Sequence, residues 1–118
     1  MPLDRLPRRR YRALGFGLLL LWTHHPAGAD EAQQINVRLG HHRFEPSEIH
    51  VHTGKPVILV VTNEDDTAEE FDSTALKVEK VIAAGHYATI RLRPLGPGQY
   101  PFIGEFHADT AQGVVVSE

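Results

Sequence analysis

Thr53-Gly54-Lys55-Pro56-Val57-Ile58-Leu59-Val60-Val61-Thr62-Asn63 decides the fold class. Gly54 and Pro56 supply turn chemistry, one free to take positive φ and the other unable to donate to a ladder. The apolar run Pro56–Thr62 then ends in the polar loop Asn63-Glu64-Asp65-Asp66-Thr67. A short apolar run bounded by turns marks a central, buried strand. Upstream, Ile35-Asn36-Val37-Arg38-Leu39 alternates apolar and polar, Phe44-Glu45-Pro46-Ser47 interrupts, and Ile49-His50-Val51-His52 resumes the two-residue period. Downstream, Tyr87–Arg93 alternates again, Leu95–Gln99 is a turn, and Tyr100–Phe106 and Gly113–Val116 read as strands. Between them Phe71, Leu76, Val78, Val81 and Ile82 lie among charges, a pattern that fits either a short helical turn or an irregular strand. Short strands at this spacing, with no long helical period among them, predict an all-β antiparallel sandwich or barrel.

The 118 residues have room for one small domain, and 42% hydrophobic with 23% charged residues fits a globular chain. Arg8, Arg9, Arg10 and Arg12 precede the apolar stretch Ala13–Trp22, and Ala27-Gly28-Ala29 offers small residues for cleavage before Asp30. This is the layout of a secretory signal peptide over 1–29, its apolar run shorter than the roughly 20 residues a bilayer span needs. The domain is then 30–118 and the expected location periplasmic. Residues 1–29 hold five of the twelve Lys and Arg and one of the fifteen Asp and Glu, so residues 30–118 carry a formal net charge of −7. Such a balance argues against nucleic acid and suits cations. Absence of Cys excludes disulfides, iron–sulfur clusters and thiol nucleophiles. Ser47, Ser73 and Ser117 lack a nucleophile-elbow context, so no enzyme activity is expected.

Several segments together resemble the cupredoxin superfamily. They are Phe44-Glu45-Pro46 leading into Ile49-His50-Val51 and Gly54-Lys55-Pro56-Val57, the strand ending at Asn63, Pro94-Leu95-Gly96-Pro97-Gly98-Gln99-Tyr100-Pro101-Phe102, and His107 followed by Gly113-Val114-Val115-Val116. The resemblance implies a Greek-key β-sandwich. It also implies four copper-ligand positions, and three of them depart from the blue-copper pattern. Gly104 stands at the Cys position, Ala111 at the Met position and Glu69 at the first His position, while His107 is retained. A trigonal His₂Cys centre requires the thiolate, so no type 1 blue-copper centre is expected. Glu69-Glu70-Phe71-Asp72-Ser73, Leu76–Ile82 and Gly104–Ala111 resemble instead the divergent cupredoxin-like domains associated with high-affinity periplasmic iron uptake. That resemblance implies iron or copper as the bound metal and a membrane iron permease as a partner.

The candidate ligands are Glu69, Glu70, Glu79, Glu105 and His107. Glu69 is in phase with Phe71 and points inward if Phe71 does, while Glu70 and Asp72 share the opposite face. Strict strand geometry keeps these three acids from one ion, a limit that a bulge or coil at this loop would relax. Glu105, two residues before His107, shares its side if the strand persists that far. Glu79 enters through the family resemblance. Carboxylates with one imidazole favour Fe, Mn, Zn or Cu(II) over Cu(I). His50 and His52 share a strand face, to which a neighbouring strand could add His41 or His42 as a second histidine surface; the favoured reading is plain exposed polar positions on an antiparallel sheet. The function expected is metal handling beside a transporter; the alternative is a metal-free module that binds a transporter or another periplasmic partner. N-terminal sequencing of the mature protein should read from Asp30 or close to it, and soluble cytoplasmic protein that keeps Met1 would exclude this setting.

Overall fold

The computed structural model describes residues 31–118 together with Gly15 and Gly17, so the signal-peptide reading over 1–29 lies outside the described residues. The described residues form nine strands: β1 (Gln33–Gly40), β2 (Arg43–Glu45), β3 (Glu48–Val51), β4 (Val57–Asn63), β5 (Glu69–Ser73), β6 (Val78–Ile82), β7 (Tyr87–Leu92), β8 (Gly98–Gly104) and β9 (Gln112–Ser117). One sheet has the order β2-β1-β4-β7 and the other β3-β9-β8-β5-β6. The sandwich is the expected one, but its sheets are mixed. β1 pairs parallel with β4, and β3 parallel with β9, while the remaining pairs are antiparallel. Alternation along a strand reports which face is buried and says nothing of the direction of its neighbours, so a sequence pattern alone does not exclude a parallel pair.

The Pro56–Thr62 run forms β4, an interior strand, with Val57, Leu59 and Val61 fully buried against the other sheet. Phe44, Phe71 and Phe102 form the aromatic centre of the core, Phe71 and Phe102 stacked at 4.7 Å and Phe44 edge-on to both. Gly113 makes room for this cluster, since a Cβ there would lie 2.2 Å from the Phe102 ring. The ambiguous stretch 71–82 is a β-hairpin, β5–β6, joined through Thr74–Lys77 with Lys77 at φ 58°. Pairing of β5 with β8 as well as β6 explains the choice, because three strands with one buried face are stable where an isolated turn is not.

Two differences concern the end of the sandwich where ligands were expected. β8 stops at Gly104, and Glu105–His107 form a 3₁₀ turn, so Glu105 and His107 do not share a strand face. His41 and His42 form the two-residue turn between β1 and β2, both with positive φ (52° and 55°). This is the backbone of a primed hairpin turn, which matches strand twist but normally selects Asn or Gly. A left-handed non-glycine residue costs about 1–2 kcal/mol. Asp65 offsets that cost, its two carboxylate oxygens accepting from the His41 N–H at 2.7 Å and the His42 N–H at 2.9 Å.

Burial raises the affinity of the Asp65 carboxyl for its proton, but the backbone N–H groups of His42 and His41 and the charges of those residues outweigh it. The carboxyl is held below its usual range. A depressed carboxylate contributes stability that is present above its unfolded pKa and lost as the pH falls through the folded value. Asp65→Asn should therefore destabilise the domain at pH 7 by about 1–2 kcal/mol, with the difference closing in strong acid. Urea unfolding of both proteins at neutral and strongly acid pH checks this.

Candidate metal centre

Glu69 opens β5 on the core side, in phase with Phe71, and is 2% exposed. A buried carboxylate needs hydrogen-bond donors, and three converge on it. Oε1 accepts from the backbone N–H of Glu70 at 3.0 Å and of Phe106 at 2.8 Å, and Oε2 lies 2.6 Å from Nδ1 of His107. The 3₁₀ turn positions two of these donors. It is closed by Ala111 N–H to the His107 carbonyl and by Gly104 N–H to the Ala111 carbonyl, both at 2.8 Å. Because the carboxylate accepts, Nδ1 carries the hydrogen, and Nε2 is the lone pair His107 has for an ion. His42 stacks on His107 with ring centroids 3.6 Å apart and planes within 12°. Lone pairs of imidazoles lie in the ring planes, so two nearly parallel rings at this distance do not converge on one ion.

The other acids gather on the opposite face of the same hairpin. Asp72 lies directly across from Glu79 in the β5–β6 register, and Glu70 lies two residues from Asp72 on the same face. Oxygen atoms of Glu70, Asp72 and Glu79 all come within 4.8 Å of one another. Like charges opposite each other on a sheet are destabilising. Glu70 registers the crowding: loss of hydration raises its carboxyl above the usual range, and the charges of Asp72, Glu79, Glu105 and Glu69 add to it in that order. The five candidate ligands thus divide into two sets. Glu69 and His107 pair on the core side, Glu70 and Glu79 meet with Asp72 on the outer side, and Glu105 bears on the outer set through its charge.

The second histidine surface does not form. β3 neighbours β9 rather than β1 or β2, and His50 faces Glu118 (Nδ1 to Oε1, 2.8 Å) and Glu48 (Nε2 to Oε1, 3.8 Å). His42 instead joins His107. Ligand spacing in the sequence did not point to two residues that shape this end of the sandwich. Asn63, fully buried, donates from Nδ2 to the carbonyls of Thr67 and Ile82 and accepts from the Asp65 N–H, which shapes the β4–β5 loop. Asp65 clamps the histidine turn, and the signal for it was the short gap between two strand patterns.

A cupredoxin-like domain model matches residues 13–117. The chain belongs to the cupredoxin-like domain family. An uncharacterized protein of Rickettsia prowazekii (strain Madrid E) is 37% identical over 87 residues, covering 74% of this chain and 70% of that one. Among solved structures, auracyanin A, a blue copper protein of Chloroflexus aurantiacus, matches with TM-score 0.62 at 13% identity, covering 72% of this chain and 98% of that chain. The metal-binding domain of the Cu(I)-exporting P-type ATPase of Streptococcus pneumoniae matches with TM-score 0.62 at 15% identity, covering 72% and 84%. At these identities the solved structures establish the fold.

The residues of this cupredoxin-like domain do not fit a type 1 copper ion. Positions 69, 104, 107 and 111 do come together, but they bring no thiolate and no thioether. A Cβ built on Gly104 would stand 2.6 Å from Glu69 Cδ and 2.7 Å from Ala111 Cβ, so the space between them is filled. Glu70→Gln should raise the melting temperature at neutral pH and low salt. The sign follows from the raised carboxyl: its ionised form is the disfavoured one in the folded state, and protonation on acidification relieves the same repulsion. Thermal melts of the two proteins should therefore converge as the pH falls below the raised folded value.

Proposed function

We propose that this protein handles a transition-metal ion in the periplasm, iron before copper, beside a membrane iron permease. The observation that carries the reading is the meeting of Glu70, Asp72 and Glu79 on the outer face of β5–β6. Three carboxylates on adjacent strands, crowded enough to raise Glu70, form an oxygen donor set whose repulsion a cation would relieve. Hard oxygen donors suit Fe(II), Fe(III), Mn(II) or Zn(II) better than Cu(I). Glu105 adds negative charge that Glu70 feels, and the Nε2 of His107 offers an imidazole on the adjoining turn. The structural neighbours, a Cu(I) exporter's metal-binding domain and a blue copper protein, support metal handling as the general role. The arginine-led N-terminus supports export, and the resemblance to iron-uptake domains supports the permease.

A second reading is a metal-free module that docks on a transporter. The filled type 1 position favours it, as do Val81 (57% exposed) and Phe106 (50% exposed) on the elements that carry the acids. Metal titration followed by thermal melting separates the two. An ion bound only by the folded state adds about 2.7 kcal/mol at 100-fold excess over Kd. That gain should appear with Fe(II), Fe(III), Cu(II) or Zn(II), fall sharply in Glu70→Gln/Glu79→Gln, and survive His107→Ala in large part. Absence of a shift with all four ions would leave the docking module as the function.

A further inference from the structure

The position that holds copper in the resembled blue-copper proteins is occupied here by part of the protein itself. A Cβ on Gly104 would contact Glu69 Cδ at 2.6 Å, Glu69 Oε2 at 2.9 Å and Ala111 Cβ at 2.7 Å, closer than real Cβ atoms approach their neighbours. None of those neighbours is free to give way. The Glu69 carboxylate is buried and held by three donors, and Ala111 is fully buried with its carbonyl bonded to the Gly104 N–H. We infer that Glu69, Gly104 and Ala111 form one coupled unit, in which the carboxylate takes the volume of a metal centre and makes the domain metal-independent at this position. A carboxylate at 69 demands no side chain at 104, and glycine at 104 leaves a hollow that the carboxylate fills. His107 is turned toward this anion, its Nδ1–H donating to the carboxylate.

This coupling lies on the core side of β5 and stands whether or not the outer acids bind metal. Two arms test it on the full mature domain. In the first, Gly104→Ala, Glu69→Ala and the double variant are melted beside the wild type without metal. Gly104→Ala alone should lower the melting temperature by more than about 5 °C, the scale of an overpacked core in a domain of this size. In the Glu69→Ala background the same change should cost little or raise it. A Gly104→Ala protein that is insoluble alone and recovered by Glu69→Ala would demonstrate the same coupling. Equal costs in both backgrounds would show independent sites and overturn the proposal.

The second arm reads Cu(II) spectroscopically. Glu69→His with Gly104→Cys and Ala111→Met should develop the visible thiolate-to-copper charge-transfer band, whereas Gly104→Cys with Glu69 intact should be destabilised and lack it. A stable Gly104→Cys protein that shows the band with Glu69 in place would also overturn the coupling. Loss of the outer-face metal shift while both arms succeed would remove the metal-handling reading alone.

Discussion

The buried carboxylate of Glu69 organises one end of this sandwich. An anion removed from water must be met by donors, and a lone buried charge left without them is far costlier than any single packing defect. Its requirement is met by the backbone N–H groups of Glu70 and Phe106 and by Nδ1 of His107. Those bonds fix the 3₁₀ turn after β8. The turn presents the ring of His107, on which His42 stacks. His42 sits in a left-handed turn that Asp65 clamps, and the Asp65 loop is shaped by buried Asn63. Polar contacts thus run from β5 through three loops back to the end of β4, at one end of the apolar core.

This network explains how a cupredoxin-like sandwich persists without thiolate and thioether at those positions. In the blue-copper pattern a metal ties the first ligand strand to the final loop. Here a carboxylate–imidazole bond and a backbone hydrogen bond join the same two segments, with Gly104 and Ala111 keeping the space small enough for a carboxylate. A hydrogen bond to a charged group contributes about 1.5–3 kcal/mol, so the link is strong enough to serve as a structural tie. The chemistry that remains accessible lies outside it. Glu70 follows Glu69 directly, and on a strand that step carries a side chain from the core face to the solvent face. Glu70, Asp72 and Glu79 gather negative charge there, across a register that opposes Asp72 to Glu79.

By itself the sequence determined the all-β class, the buried central run at 56–62, the shared phase of Glu69 and Phe71 if they lie on a strand, and the impossibility of a thiolate copper centre. These follow from periodicity, from turn residues, and from which side chains the chain contains at all. Tertiary structure alone decided the rest. The parallel β1–β4 and β3–β9 pairs, the hairpin at 69–82, and the end of β8 at Gly104 depend on neighbours distant in sequence. So does the fate of the histidines: His42 and His107 stand 65 positions apart yet stack, while His50 turns to Glu118. Pattern reading assigns a side chain to a face, because the strand period is local. Which residue meets it across that face is set by sheet order and by the charge that must be satisfied there, and both are properties of the folded whole.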